Sequence, residues 1–127
     1  MSLLKSGEDY LEAILMLSKK RSKVHAIHIV NMLNYSKPSV SIALKKLKEE
    51  GYIEIDSDSH IHLTESGLKV ATTIYERHQV LTQILTEIGV PADIAEKDAC
   101  KIEHDLSPIT FQKIKDYIKK YNELKNN

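Results

Sequence analysis

Six side chains able to ligate a metal stand in three short groups of this chain. Asp9 and Glu12 are three positions apart, His78 follows Arg77, and Cys100, Glu103 and His104 occupy positions i, i+3 and i+4. On a helix those spacings bring side chains to one face. Together the groups offer oxygen, nitrogen and sulfur donors. Such a set suits a first-row divalent transition ion rather than Ca²⁺ or Mg²⁺, which take oxygen ligands. Each group alone has a plainer reading: a cysteine or histidine packed in a core, or a Glu–His pair on a solvated face. A site requires the fold to gather three separate segments.

A second chemistry is written in the charge distribution. The 18 basic and 18 acidic residues cancel, yet residues 19–48 hold eight Lys or Arg and no Asp or Glu. Such a segment is an electrostatic footprint for a polyanion, because each lysine that neutralises a phosphate releases a counterion. Residues 86–105 have the opposite bias, with Glu87, Asp93, Glu96, Asp98, Glu103 and Asp105 against Lys97 and Lys101.

Periodicity supplies the elements that must carry these groups. Residues 6–18 read as a helix, with Leu11, Ile14 and Leu17 at helical spacing and Glu8 and Asp9 in its first turn. Residues 26–33 form a short second helix. Asn34-Tyr35-Ser36 is a turn, and Lys37-Pro38-Ser39 opens a third helix, since proline suits a first turn. Val40, Ala43, Leu44 and Leu47 give that helix its apolar stripe; Lys45, Lys46 and Lys48 face outward, and Gly51 stops it. Residues 52–55 and 60–63 alternate apolar and polar around a polar turn, the pattern of a β-hairpin. Thr64 caps a long helix to about Ile88, ended by Gly89; Pro91 starts another through Leu106; Ser107-Pro108 opens the last, to about Tyr121, with a frayed polar tail after it.

Helix, helix, turn, helix, hairpin is the order of a winged helix-turn-helix. The expected fold class is therefore mainly α: an N-terminal winged helix-turn-helix over residues 1–64, then a helical domain over 65–127. Ser36, Lys37, Pro38, Ser39, Ser41, Ile42, Lys45 and Lys46 are the expected DNA-binding residues of the third helix, its start facing base edges and its lysines facing phosphates. His60 and His62 are placed on the outward face of the hairpin, where they are solvated strand residues or, for His60, a DNA contact. His25 and His28, at i, i+3, are read as polar residues flanking the basic segment rather than as a metal pair.

Length and composition bound the remaining classes. The 127 residues, 42% hydrophobic and 28% charged, suit one domain or two small ones and are not those of a disordered chain. The longest apolar run, residues 13–17, is far too short for a membrane span. One cysteine excludes an internal disulfide framework, which points to a cytoplasmic protein. The six tyrosines are scattered, not arranged as a stacking platform for single strands.

Five motifs in register then carry a resemblance: Glu8-Asp9-Tyr10-Leu11-Glu12, Lys37-Pro38-Ser39-Val40-Ser41, Leu63-Thr64-Glu65-Ser66-Gly67, Arg77-His78 and Cys100-Lys101-Ile102-Glu103-His104. Over residues 7–120 the chain resembles the diphtheria toxin repressor (DtxR/MntR) family of metal-dependent transcriptional repressors. The resemblance implies a winged-helix domain, a helical metal-binding and dimerisation domain, a palindromic double-stranded operator and a homodimer. It assigns Asp9, Glu12, His78, Cys100, Glu103 and His104 as metal ligands and Mn²⁺ or Fe²⁺ as the metal, with Co²⁺, Ni²⁺ or Zn²⁺ bound in vitro. The set is a hybrid. Cys100 matches the iron-sensing branch, where the manganese branch has glutamate, and Asp9 departs from the iron branch, which has methionine there. Thr82 and Glu96 replace ligands of the iron branch's second site, which is not expected in that form. Ile42 stands where that branch has glutamine, which implies a different operator, and the SH3-like third domain of that branch is not found.

The same resemblance implies a mechanism. Metal bound by donors from both halves selects the arrangement in which two reading heads fit successive major grooves. Two rival classes remain. One is a metal-independent winged-helix regulator that answers to an organic ligand or to Cys100 oxidation. The other, more remote, is a metallohydrolase, against which stands the lack of a phosphate-binding glycine loop or an unassigned acid–base pair.

Overall fold

The computed structural model describes residues 5–126; Met1–Leu4 and Asn127, at the ends of the two expected domains, lie outside them. Its elements run α1 (Lys5–Lys20), α2 (Ala26–Leu33), α3 (Lys37–Glu49), β1 (Ile53–Ile55), β2 (Ile61–Leu63), α4 (Glu65–Glu87), α5 (Ala92–Ile102) and α6 (Pro108–Lys125). The mainly helical class and the winged order are those expected. The chain forms two compact units that divide between Thr73 and Ile74, inside α4. The sequence places the boundary earlier, at Thr64.

In the first unit α1 is the centre: Tyr10–Leu15 are six consecutive buried residues, and α2, α3 and β2 pack on it. Leu11, Ile14, Ile29, Val40 and Ile53 are almost wholly removed from water. Each such side chain contributes roughly 1.5–3 kcal/mol relative to exposure. The strands pair antiparallel, with Ile53 opposite Leu63, Glu54 opposite His62 and Ile55 opposite Ile61. Ile53 and Ile61 point into the core, and Glu54 and His62 point to solvent.

The helix ends follow local chemistry. Ser36 caps α3 by accepting the Ser39 N–H at 3.2 Å. At the other end Gly51, at φ +86, lets its own N–H reach Lys48 O and the Tyr52 N–H reach Leu47 O. Those two bonds satisfy carbonyls the helix leaves open. Thr64 ties α3's exit to α4's entry: its hydroxyl donates to Gly51 O at 2.7 Å and accepts the Gly67 N–H at 3.2 Å. Gly67 packs so closely on the Tyr52 carbonyl that a Cβ there has no room. The first turns of α4 thus belong to the winged unit, which is why the units divide inside that helix.

In the second unit Ile74, Leu81, Ala95, Ala99 and Phe111 are buried. Two boundaries differ from expectation. α5 ends at Ile102, not Leu106, and Glu103–Asp105 form a turn. α6 continues to Lys125, so residues 122–125 are helical rather than a frayed tail. No glycine or proline interrupts α6 after Pro108, and Glu, Leu and Lys all favour helix.

Candidate metal centre

The second unit assembles its ligand side chains around Glu103. Ala95, Ala99 and Glu103 succeed one another at i, i+4 and i+8 and form the buried stripe of α5 and the turn after it. The Glu103 N–H still bonds Ala99 O, which keeps that turn in line with the helix. From the preceding helix, Arg77 closes the end. Its Nη1 donates to Glu103 O at 3.0 Å and to Leu106 O at 2.7 Å, and its guanidinium lies 5.4 Å from the Phe111 ring centre. Ser107 then takes an extended conformation, with ψ 155, as a residue before proline must, and α6 begins.

This construction holds the Glu103 carboxylate fully out of water. His78 Nδ1 stands 3.2 Å from Oε2, and His104 Nε2 stands 3.6 Å from Oε1. Neither carboxylate oxygen has a partner in hydrogen-bond geometry among the described residues. The His104 side chain is 1% exposed and that of His78 16%, and Glu96 approaches the other nitrogen of His78 at 4.0 Å. Burying a carboxylate without hydrogen bonds costs several kcal/mol or more, and a divalent cation at the meeting point of one carboxylate and two imidazoles offsets that cost. The donor set fits a first-row transition ion.

The other expected ligands are placed differently. Cys100 is exposed. It follows Ala99 by one residue and is therefore turned about 100° from the buried stripe. Glu103 and His104 stand in the turn Glu103–Asp105 rather than in the helix expected there. In the first unit, Glu12 is buried and Asp9 half-buried on α1. Thr82, where the iron-sensing branch has an acid, keeps its hydroxyl buried, with no hydrogen-bond partner among the described residues. Two contributors were not assigned from sequence: Arg77, which holds the turn, and Glu96, which faces His78. The Arg77-His78 pair was the visible signal, but nothing local tells which carbonyls the arginine reaches.

The DNA-binding residues expected on α3 all lie on its open side. Ser36, Lys37, Pro38, Ser39, Ser41, Lys45 and Lys46 are exposed, and Ile42 is 71% exposed, while Val40, Leu44 and Leu47 face the core. An uncovered isoleucine between serines and lysines is suited to thymine methyl contact in a major groove. His60 is not on an outward face as expected; its side chain is 13% exposed because it packs on His25 and Asp56.

Comparison with known proteins agrees with both halves. Residues 2–61 match the family model described as iron dependent repressor, N-terminal DNA binding domain. Residues 64–124 match that of iron dependent repressor, metal binding and dimerisation domain. The chain is 32% identical over 114 residues to the transcriptional regulator MntR of Escherichia coli O6:H1, covering 90% of this chain and 74% of the relative. It is 31% identical over 120 residues to an HTH-type transcriptional regulator of Methanocaldococcus jannaschii, covering 93% and 96%. The structure of the manganese regulator SloR superposes with a TM-score of 0.79 at 27% identity, over 94% of this chain but only 55% of that one. No helix among the described residues is long and apolar enough to cross a membrane. The chain belongs to the diphtheria toxin repressor (DtxR/MntR) family of metal-dependent transcriptional regulators.

Proposed function

We propose that this protein is a homodimeric repressor that binds a palindromic operator when loaded with Mn²⁺ or Fe²⁺ and so controls genes of metal homeostasis. The observation that carries this reading is the buried Glu103 carboxylate, flanked by His78 and His104 and short of hydrogen bonds. His78, Glu103 and His104 hold the ion; the family resemblance adds Asp9, Glu12 and Cys100. A thiolate at position 100 shifts preference from Mn²⁺ toward Fe²⁺, Co²⁺ or Zn²⁺, and the carboxylates keep Mn²⁺ in range. The exposed serines, lysines and Ile42 of α3 meet the DNA. By linkage, operator binding tightens metal binding by the same factor that metal tightens operator binding.

Support for self-association lies on the second unit. Ile84, Ile109, Ile114 and Tyr117 line a shallow apolar groove, and Ile109 and Tyr117 are 70% and 66% exposed. Apolar residues so open mark an interaction surface. A regulator of this kind needs no catalytic group.

The test compares wild type, Cys100→Glu and Glu103→Ala plus His104→Ala for Mn²⁺ and anaerobic Fe²⁺ binding by calorimetry. Wild type is expected to bind, and the double variant to lose affinity by about 100-fold or more, since even partners behind the ligands are worth 10–100-fold. Cys100→Glu should move the ratio of Mn²⁺ to Fe²⁺ affinity toward Mn²⁺. Binding unchanged in the double variant sinks the proposal.

A further inference from the structure

A second histidine–carboxylate cluster sits in the winged unit, on residues that the proposed function does not use. Asp56 leaves β1 and turns its carboxylate back over the hairpin loop. Oδ1 accepts the N–H groups of Asp58 at 2.9 Å and His60 at 3.0 Å, which fixes the plane of the carboxylate. Oδ2 faces His62 Nε2 at 2.9 Å and His60 Nδ1 at 3.4 Å. Ser59, at φ 65, supplies the left-handed residue that reverses the chain, and its N–H closes the turn on Asp56 O at 2.9 Å.

The loop is also tied to the segment before α2. The Ile61 N–H donates to Val24 O at 2.8 Å, and the next residue, His25, sets its ring edge-on to His60 with centroids 4.6 Å apart. His25 is held in turn, because His28 Nδ1 accepts its N–H at 2.9 Å. Three imidazoles and a carboxylate therefore meet at one corner, with the carboxylate anchored by backbone amides rather than by the rings.

We propose that Asp56, His60 and His62 form a second metal site, specific for Zn²⁺ and similar borderline ions, with His25 or water as the fourth ligand. One oxygen and two ring nitrogens lie within 4.8 Å of one another. Ligands at zinc–nitrogen distance in a tetrahedron are spaced about 3.3 Å apart, so the observed separations need only small side-chain adjustments. Two neutral imidazoles and one carboxylate favour Zn²⁺, Ni²⁺ or Cu²⁺ over Mn²⁺ in the ordinary order of affinities. The nitrogen pattern fits as well: His60 offers Nδ1 and His62 Nε2 to the same point, and the anchoring amides leave Oδ2 as the carboxylate oxygen facing them. An ion there adds two positive charges to a wing that carries Glu54, Asp56 and Asp58, and so weakens its repulsion of phosphate.

The test uses the full chain and zinc alone. In wild type, proton–nitrogen correlation spectra of the histidine rings should show zinc moving the Nδ1 signal of His60 and the Nε2 signal of His62. Calorimetry on Glu103→Ala plus His104→Ala should retain one zinc ion per chain, and adding His62→Ala should weaken it at least 10-fold. His62 is 56% exposed, so its truncation leaves the fold intact. His60 and His62 signals that ignore zinc, or zinc affinity unchanged by His62→Ala, overturn the proposal. Mn²⁺ binding that survives His62→Ala but not the double substitution separates this site from the sensing centre, and either can fail alone.

Discussion

In the wing, Asp56 collects its partners from within six residues of itself; in the second unit, the main chain of Glu103 is held by an arginine twenty-six positions earlier. Both carboxylates face two histidines. The Asp56 carboxylate is half in water and hydrogen-bonded to turn amides, whereas the Glu103 carboxylate is wholly buried and lacks hydrogen bonds among the described residues. The difference separates two ways of building a ligand set. A hairpin loop can preorganise ligands by local turn chemistry, at the cost of leaving them open to solvent. A buried set needs remote elements to hold it, and in return gains a low-dielectric setting in which charge matters more.

That contrast is broken most severely by Arg77→Met. The variant leaves the carbonyls of Glu103 and Leu106 without their donor and frees the turn that presents Glu103 and His104. It should lower unfolding free energy by about 3 kcal/mol, measured by urea denaturation, from one buried and one part-buried acceptor at roughly 1–3 kcal/mol each. Metal affinity should fall by about 10–100-fold, the usual effect of removing a group that positions ligands. An unchanged unfolding midpoint would mean that the turn holds itself, as the wing does.

Thr64→Ala probes an intermediate case, a bond across thirteen residues that joins α3's exit to α4's cap. Loss of the cap should cost about 1 kcal/mol in the same denaturation experiment. The metal affinity of the Glu103 centre should not change, because the cap belongs to the winged unit.

The smallest effect sharpens the local end of the comparison. The Asp56 carboxyl is held down to about 2 from its ordinary 3.8, chiefly by the hydrogen bond to His62 and then by the His60 amide. A depressed carboxyl stabilises the fold above its unfolded value and loses that contribution as pH falls through its folded value. The Asp58 and His60 amide resonances should therefore hold their native positions down to about pH 3 and shift only near pH 2. A shift centred near pH 4 would mean that the loop is not anchored by Asp56.

Much of the chain follows from local rules that sequence displays. Ser36 and Pro38, Ser107 and Pro108, Gly51 and Gly89 mark helix ends where the structure has them, because caps and left-handed stops depend on a few adjacent residues. The alternation around residues 53–55 and 61–63 set the register of the hairpin, since a slip by one residue would expose Ile53 and Ile61. The end of α5 was not legible. Residues 103–106 carry no glycine or proline, and what stops the helix is an arginine side chain from α4, with Pro108 two residues further on.

The candidate sites divide along the same line. Residue type and helical spacing single out Asp9, Glu12, His78, Cys100, Glu103 and His104, and the exposed face of α3 follows from its apolar period. Spacing could not separate Cys100 from Glu103, because i and i+3 lie near the boundary between a buried stripe and solvent, and only packing decides on which side each falls. Nor could it set His60 against His25, thirty-five positions apart, which rests on one backbone bond between Ile61 and Val24. Sequence by itself determined the order of elements, the basic face of the third helix and the inventory of candidate ligands. Tertiary structure decided which ligands meet, because that depends on contacts between residues far apart in the chain, and these leave no local period to read.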